Sequence, residues 1–320
     1  MKEPKGREAG HARNAVAGPA PATGVVPLRR EGEGAEGDSG GASLQYIRVL
    51  TIAGSDSGGG AGIQADLKTM AALGCYGMSA ITALTAQNTR GVTAIHTAPA
   101  EFLTAQIDAV VGDIGAQAVK IGMLHSAEIV RVVAEAIDRH GLSRIVLDPV
   151  MVSATGAQLI EQPAVDALVR ELFTRCDIVT PNADEAALLL GKPIGSMVDM
   201  VPAARALLGL GARAVLLKGG HLPGDEVHDL LAVAGEEGEP LLHDMRATRI
   251  QTRNLHGAGC TLSSAIASHM ALGMPLIQAV EAARTYVHQA LLAGAGVKTG
   301  EGVGPLNHGF APLAACKQAI

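Results

Sequence analysis

Short apolar runs alternate with segments of helical period along most of the chain, from Tyr46 onward. The runs lack polar alternation and are bounded by Gly, Pro and Asp, which is typical of strands buried on both faces of a sheet. Six such runs predict strands over Ile47–Ala53, Ser79–Ala86, Ala118–Met123, Arg144–Asp148, Asp177–Thr180 and Ala214–Lys218.

Between and after these runs, apolar residues recur with the period of an α-helix. The pattern predicts helices over 101–111, 126–140, 260–270 and 276–292. Ser126 is a suitable N-cap and Gly141 a suitable stop for the second of these helices. Pro275 separates the last two, because proline cannot continue a helix.

Residues 225–250 interrupt the alternation with two strand-like segments around the turn-rich sequence GEEGEP, which predicts an antiparallel hairpin. Residues 1–44 are rich in Gly, Ala, Pro and charge and sustain no period, so we expect a disordered tail. Alternating strands and helices over the remainder predict one α/β domain, residues 45–315, with a mainly parallel sheet.

The composition of the chain argues against several classes of function. The formal charge is −6, with no Trp, 3 Tyr and 3 Phe, so we expect no nucleic-acid partner. No apolar run reaches the roughly 18 residues of a membrane span, so no membrane partner is expected either. The 4 cysteines form no CxxC pair, and the N-terminus lacks a signal-peptide core, which favours the cytoplasm.

Polar and glycine-rich segments follow the predicted strands. Ligands of parallel α/β sheets bind beyond the carboxyl ends of the strands, so these segments are candidate site residues. A glycine-rich loop over 54–62 follows the first strand, but it does not have the P-loop spacing. Later strands are followed by Gln87, Asp148, Asn182 and Lys218. Any one of these could be a helix cap, whereas their recurrence at one edge predicts a binding site.

A second glycine turn precedes the first of the two C-terminal helices. Gly257, Ala258 and Gly259 lead into a first turn that contains Cys260. Unpaired N–H groups and the helix dipole favour an anion there, and the same field predicts a thiol pKa below its usual value of about 8.5. A buried structural cysteine is the alternative interpretation of this segment.

These motifs together resemble a known enzyme family. The segments are GSDSGGGAGIQADLKT at Gly54, ALTAQNT at Ala83, KIGML at Lys120, LDPVM at Leu147, TPNADEAALL at Thr180, KGGH at Lys218 and HGAGCTLSSA at His256. In this order they resemble the hydroxymethylpyrimidine and phosphomethylpyrimidine kinases of thiamine biosynthesis. The resemblance extends from about Arg48 to about Pro305.

The resemblance implies a ribokinase-like three-layer α/β/α fold, a small-molecule substrate phosphorylated twice by ATP with Mg²⁺, and a homodimer. It places the pyrimidine against Gly54, Asp66, Thr85, Gln87, Met123 and Val150. It assigns Asn182 and Glu185 to Mg²⁺, mostly through water, and Lys218 to the nucleotide phosphates. Gly257, Ala258, Gly259 and Cys260 would form the catalytic anion hole. Gln87 suits an aminopyrimidine edge, because its carboxamide both donates and accepts hydrogen bonds.

Two alternatives remain at this stage. Pyridoxal kinase is the nearest enzyme, since pyridoxal also presents a CH₂OH group on a flat nitrogen heterocycle. A non-catalytic pyrimidine-binding regulator is the alternative from another class, although it would not need Lys218, Asn182, Glu185 and Cys260.

Overall fold

The computed structural model describes residues 43–152, 159–235 and 238–319. The predicted disordered tail lies outside these ranges except for its last two residues, so its disorder stays a prediction.

Eleven strands occur in the described part of the chain. They are β1 Leu44–Tyr46, β2 Arg48–Asp56, β3 Tyr76–Asn88, β4 Gly91–Thr97, β5 Ala118–Ile121, β6 Ile145–Leu147, β7 Ile178–Val179, β8 Ala214–Leu217, β9 Glu226–Val233, β10 Leu241–Thr248 and β11 Lys317–Ala319. Nine of them form one sheet in the order β10-β9-β8-β7-β6-β5-β2-β3-β4. The central strands from β8 to β3 are parallel, whereas β4, β9 and β10 pair antiparallel with their neighbours.

The strand predictions are confirmed for the six buried runs, which become β2, β3 and β5 to β8 with shifted ends. The predicted hairpin is also confirmed, as β9 paired with β10. Strand β4 was not predicted. It lies at the sheet edge, so its side chains are half-buried or exposed and form no apolar run in the sequence. Strands β1 and β11 pair only with each other in a separate ribbon.

Eight α-helices are described: α1 Gly62–Ala72, α2 Ala100–Asp113, α3 Ala127–His140, α4 Gln162–Leu172, α5 Ala183–Leu190, α6 Met197–Leu208, α7 Ala258–Ala271 and α8 Leu276–Gly294. The Ser126 side chain caps α3 by accepting the Ile129 N–H, and Gly141 ends that helix at φ 58°. Both roles were predicted. Among the described helices, none has the length and apolar character needed to cross a membrane.

Two apolar cores lie on opposite faces of the sheet. On one face Leu50 and Ile52 of β2 pack in the same core as buried residues of α2 to α6. On the other face Val49 belongs to the core formed by α1, α7 and α8. Neighbouring residues of one strand thus face different helix layers, as strand geometry requires. The three-layer α/β/α fold is therefore confirmed, and the loops after β2, β5, β6, β7 and β8 open at one sheet edge.

Candidate active site

The first glycine loop folds around one carboxylate. Asp56, the last residue of β2, accepts the N–H of Gly58 on Oδ1 at 2.8 Å. Its Oδ2 accepts the N–H groups of Gly60 at 3.0 Å and Ala61 at 2.9 Å. Burial alone would raise the pKa of Asp56, but these donors and His256 hold it below its ordinary value. A charged side chain therefore shapes the loop that leads into α1.

Five of the six predicted pyrimidine residues gather beside this loop. A side chain at Gly54 would clash with Met123, and the Thr85 hydroxyl lies 2.9 Å from the Ser55 carbonyl and 3.0 Å from Gln87 Oε1. Met123 is buried in a small apolar cluster against which Val150 packs. Gly54, Thr85, Gln87, Met123 and Val150 thus line one region of the strand edge.

Asp66 occupies a different position from the other five. It is fully buried in α1, and its carboxylate binds the Lys120 ammonium at 2.9 Å. The hydroxyls of Thr51 and Ser264 donate to it, each at 2.6 Å. Both carboxylate oxygens are therefore engaged inside the protein, which makes Asp66 part of the support beneath the site in this structure.

The second glycine turn brings Cys260 to the first loop. Gly257 is the N-cap of α7 and has φ 85°, and no side chain caps the helix. Cys260 is the third residue of α7. The Ala258 N–H donates to Leu255 O at 3.1 Å and is not available to an anion. Among the described residues, the N–H groups of Gly257, Gly259 and Cys260 have no hydrogen-bond partner. These three N–H groups can therefore donate to a phosphate at the positive end of α7.

The predicted low pKa of Cys260 is wrong. Burial raises the pKa of the thiol to about 11, and the carboxylates of Asp66 and Asp148 add to that effect. Lys120 and the Gly62 N–H act in the opposite direction, but they do not compensate for burial. The helix dipole argument failed because it did not account for the burial of the thiol, nor for two carboxylates that only the fold brings close.

A buried charge cluster forms where β6, β7 and β8 end. Lys218 Nζ lies 2.9 Å from Asp148 Oδ1 and 3.9 Å from Glu185 Oε2. Burial alone would raise the pKa of Asp148, but the ammonium groups of Lys218 and Lys120 hold it below its ordinary value. A side chain at Gly259 would come within 3.2 Å of Lys218 Nζ, so the cluster lies directly beside the α7 turn.

Asn182 and Glu185 form a reciprocal capping box at the start of α5. Asn182 Oδ1 accepts the Glu185 N–H at 2.9 Å, and Glu185 Oε2 accepts the Asn182 N–H at 2.8 Å. Burial raises the pKa of Glu185 to about 7, and the nearby Asp148 carboxylate contributes to the shift. The two residues are brought to the strand edge as predicted, and they also have a structural role.

Four residues with central positions were given no role in the predicted site: Asp56, Lys120, His256 and Asp148, of which Asp148 was only a candidate at a strand end. Lys120 and Asp148 carried a local signal, because each is a charged residue within or directly after an apolar strand. Asp56 and His256 gave no comparable signal, since their contact joins positions 200 residues apart.

A cavity of about 370 Å³ lies among residues of β9, β10, α7 and α8. Asp229 lies on its wall, accepts the Gly219 N–H at 2.9 Å and binds Arg284 at 2.8 Å. Leu262 and Val287 supply apolar surface. The volume is in the range of small-ligand pockets. Within the described ranges, no three His, Cys, Asp or Glu side chains gather as a metal-binding set.

Comparison with known proteins agrees with this geometry. A family model described as phosphomethylpyrimidine kinase matches residues 56–307. A hydroxymethylpyrimidine/phosphomethylpyrimidine kinase of Rhizobium meliloti is 52% identical over 261 residues, which cover 81% of this chain and 96% of that protein.

Two solved structures are similar over most of the chain. The phosphomethylpyrimidine kinase of Clostridium difficile has a TM-score of 0.67 at 42% identity and covers 77% of this chain and 99% of its own. The pyridoxal kinase of Staphylococcus aureus, in complex with AMP-PCP and pyridoxal, has a TM-score of 0.74 at 33% identity. That match covers 83% of this chain and 94% of the other.

Proposed function

This chain belongs to the phosphomethylpyrimidine kinase family, and we propose that its strand-edge site phosphorylates hydroxymethylpyrimidine and then the resulting monophosphate. It is a kinase of thiamine biosynthesis and uses ATP. One observation carries the placement of the reaction: Gln87 Nε2 lies 3.4 Å from His256 Nε2, directly before the α7 turn. The predicted acceptor pocket therefore adjoins the predicted phosphate site.

The acceptor lies against Gly54, Thr85, Gln87, Met123 and Val150 in this proposal. The apolar Met123 and Val150 suit the faces of a methylated ring, and the Gln87 carboxamide suits its aminopyrimidine edge. The CH₂OH group then points to Cys260.

Phosphoryl transfer depends mainly on alignment and on charge stabilisation. The N–H groups of Gly257, Gly259 and Cys260 stabilise the migrating phosphoryl group, and Lys218 binds nucleotide phosphate. In the first reaction the hydroxyl proton passes to the thiolate of Cys260 as the new O–P bond forms. The bond between the γ-phosphorus of ATP and the bridging oxygen breaks in the same step, and ADP leaves. In the second reaction the acceptor is a phosphate that is already deprotonated, so no base is needed.

The nucleoside of ATP occupies the cavity of about 370 Å³ in this proposal. Its apolar wall at Leu262 and Val287 suits a purine ring. Asp229 on the same wall accepts the N–H of Gly219, the neighbour of Lys218, which connects the cavity to the phosphate-binding lysine. The Staphylococcus aureus relative has been solved with an ATP analogue, which supports the use of ATP.

The acidic residues at this edge fit a bound Mg²⁺. Mg²⁺ keeps several waters and takes one or two carboxylates together with substrate phosphates. Burial raises the pKa of Glu185 to about 7 and the neighbouring Asp148 carboxylate adds to the shift, and a cation beside the two carboxylates would compensate their charge. Glu185 and Asn182 would hold the ion, mostly through water, and the ion would neutralise charge on the ATP phosphates.

Two further properties belong to the same proposal. The protein acts in the cytoplasm, which is supported by cysteines that form no pairs in the described part of the chain. It is a homodimer, as the family resemblance implies.

Product analysis tests the function. The purified protein is incubated with hydroxymethylpyrimidine and MgATP, and mass spectrometry counts the phosphates added to the pyrimidine over time. We expect the monophosphate first and the diphosphate later, with Cys260→Ala as the control for contaminating kinases. A faster reaction with pyridoxal would favour the vitamin B6 activity suggested by the pyridoxal kinase neighbours. Pyrimidine binding without turnover would favour the regulator.

A further inference from the structure

Asp56 joins the two glycine loops of the site. Its Oδ2, which already accepts two N–H groups of the first loop, also lies 2.8 Å from His256 Nε2. His256 directly precedes Gly257, the residue at which α7 begins. The side chains of Asp56 and His256 are 3% and 10% exposed, so water competes little for this hydrogen bond.

Backbone packing shows how closely the two loops fit. A side chain at Gly60 would clash with the imidazole ring of His256. A side chain at Gly257 would clash with the carbonyl oxygen of Gly60. The loops touch through positions that only glycine can occupy, and the hydrogen bond between Asp56 and His256 lies beside this contact.

The same contact determines where Cys260 and Gln87 lie. The Gly62 N–H, at the start of α1, points to the Cys260 sulfur. Gln87 Nε2 lies 3.4 Å from His256 Nε2, and Ser57 of the first loop hydrogen-bonds both backbone groups of Gln87. A shift of one loop against the other would therefore move the sulfur relative to the acceptor pocket.

His256 is itself fixed from the carboxyl-terminal segment. Its N–H donates to Gly304 O at 3.0 Å, and Val303 N–H donates to Thr89 O at 2.8 Å, just beyond β3. The backbone of His256 is thus fixed by the carboxyl-terminal segment, and its side chain extends from there with Nε2 facing Asp56.

We propose that Asp56 and His256 form a loop clasp, a positioning pair that holds the first glycine loop in register with the α7 turn for phosphoryl transfer. The clasp rests on the proposed function for its kinetic consequence and touches neither substrate. The clasp does not require a charged imidazole, because the Nε2–H tautomer of a neutral ring donates a hydrogen bond to the carboxylate. The clasp does require ionised Asp56, because its two carboxylate oxygens accept hydrogen bonds from four donors.

The first test compares His256→Ala with His256→Gln, in which the Gln amide can reach the place of Nε2. A positioning role predicts that His256→Ala lowers kcat by about 10²-fold, the size of effect expected from a misplacement of about 1 Å. KM for ATP should change less than threefold, and His256→Gln should recover at least a third of kcat. His140→Ala, which breaks a surface His–Asp contact of 2.6 Å with Asp108, is the matched control and should leave kcat unchanged.

Three outcomes of these kinetics would overturn the proposal. They are an unchanged kcat in folded His256→Ala, a rise in KM alone, and a His256→Gln variant as slow as His256→Ala. Thermal unfolding of each variant shows whether it is folded.

A second measurement does not depend on the reaction. Alkylation of Cys260 by iodoacetamide is followed by peptide mass spectrometry, with the partly exposed Cys316 as internal reference. Loss of a buried charge-assisted hydrogen bond should raise the Cys260 rate about tenfold in His256→Ala and not in His140→Ala. Equal Cys260 rates in wild type and His256→Ala would contradict the clasp. If the wild type phosphorylates no pyrimidine but the alkylation rates differ as expected, the proposed function fails and the clasp stands.

Discussion

Lys120 Nζ lies 2.9 Å from Asp66 Oδ2, and neither side chain is exposed to solvent. Burial alone would lower the pKa of Lys120, but the carboxylates of Asp66 and Asp148 hold it above its ordinary value. Lys120 is therefore charged in the folded protein. The pair connects α1 to β5 and lies beneath Cys260, whose pKa both groups influence.

Replacing Lys120 by Met should destabilise the protein strongly. The substitution keeps most of the volume but leaves the Asp66 carboxylate buried without its cation, which costs about 3–5 kcal/mol. Urea unfolding followed by circular dichroism measures the loss. Arg139→Met is the control, because it breaks an ion pair with Asp108 of which both members are over 40% exposed. The control should lose less than about 1 kcal/mol, and equal losses would contradict the argument.

The two phosphorylation steps should differ in their dependence on pH. The thiolate is the reactive form in the first step, and burial raises the pKa of Cys260 to about 11. The thiolate fraction, and with it kcat/KM for the alcohol, should rise about tenfold per pH unit between about pH 7 and 9. The second step needs no base and should stay nearly flat. Initial rates of each step across this range test the difference, and parallel profiles would exclude Cys260 as the base.

Cys260→Asp should affect the second step more than the first. At an effective dielectric of about 20, a carboxylate about 4 Å from an incoming phosphate repels it by roughly 4 kcal/mol per charge pair. A neutral thiol avoids this repulsion. Steady-state assays with the alcohol and with its monophosphate should show at least about tenfold more loss for the monophosphate. Equal losses in both assays would refute the charge argument.

Gly257→Ala should abolish activity and destabilise the fold. The residue has φ 85°, and its new methyl group would clash with the Gly60 carbonyl. Gly112→Ala is the matched control, because Gly112 lies within α2 with open space around it. Alanine there should stabilise the protein by about 0.5–1 kcal/mol. Thermal unfolding and ATP turnover of both variants check these expectations, and an active, stable Gly257→Ala would show that the two loops can separate at no cost.

Val287→Trp should block the nucleoside cavity. The indole would fill much of a space of about 370 Å³, so KM for ATP should rise at least tenfold while pyrimidine binding is retained. Met197→Trp is the control, because Met197 lines a separate cavity of about 250 Å³ on another side of Gly219. If only the control raises KM for ATP, the nucleoside occupies the second cavity.

The fold could be predicted because its strands have a strong local signal. Residues such as those of Ala214–Leu217 are buried on both faces, so their apolar run stands out in the sequence. Strand β4 gave no such signal at the sheet edge. Helix ends were predictable where one side chain determines them, as Ser126 does for α3.

The position of a candidate residue at the sheet edge was predictable where it directly follows a buried strand, as Lys218 follows β8. Properties that depend on tertiary neighbours were not predictable. The Cys260 thiol has a raised pKa because the fold buries it, and Asp66 and Asp148, which come from distant parts of the chain, add to the shift. The partners of Asp66 were not predictable for a similar reason, since Thr51, Lys120 and Ser264 come from three different elements.

The anchoring of His256 by Gly304, and of Val303 by Thr89, also constrains the order in which the enzyme can mature. During translation the loop after β2 leaves the ribosome more than two hundred residues before the segment that completes its partner. Until that segment emerges, the turn at His256 lacks its anchor and is not fixed against the first glycine loop. Catalytic competence therefore requires the chain to extend past Val303 and Gly304, and a product that stops short of Gly302 would be inert even with every proposed substrate-binding residue present.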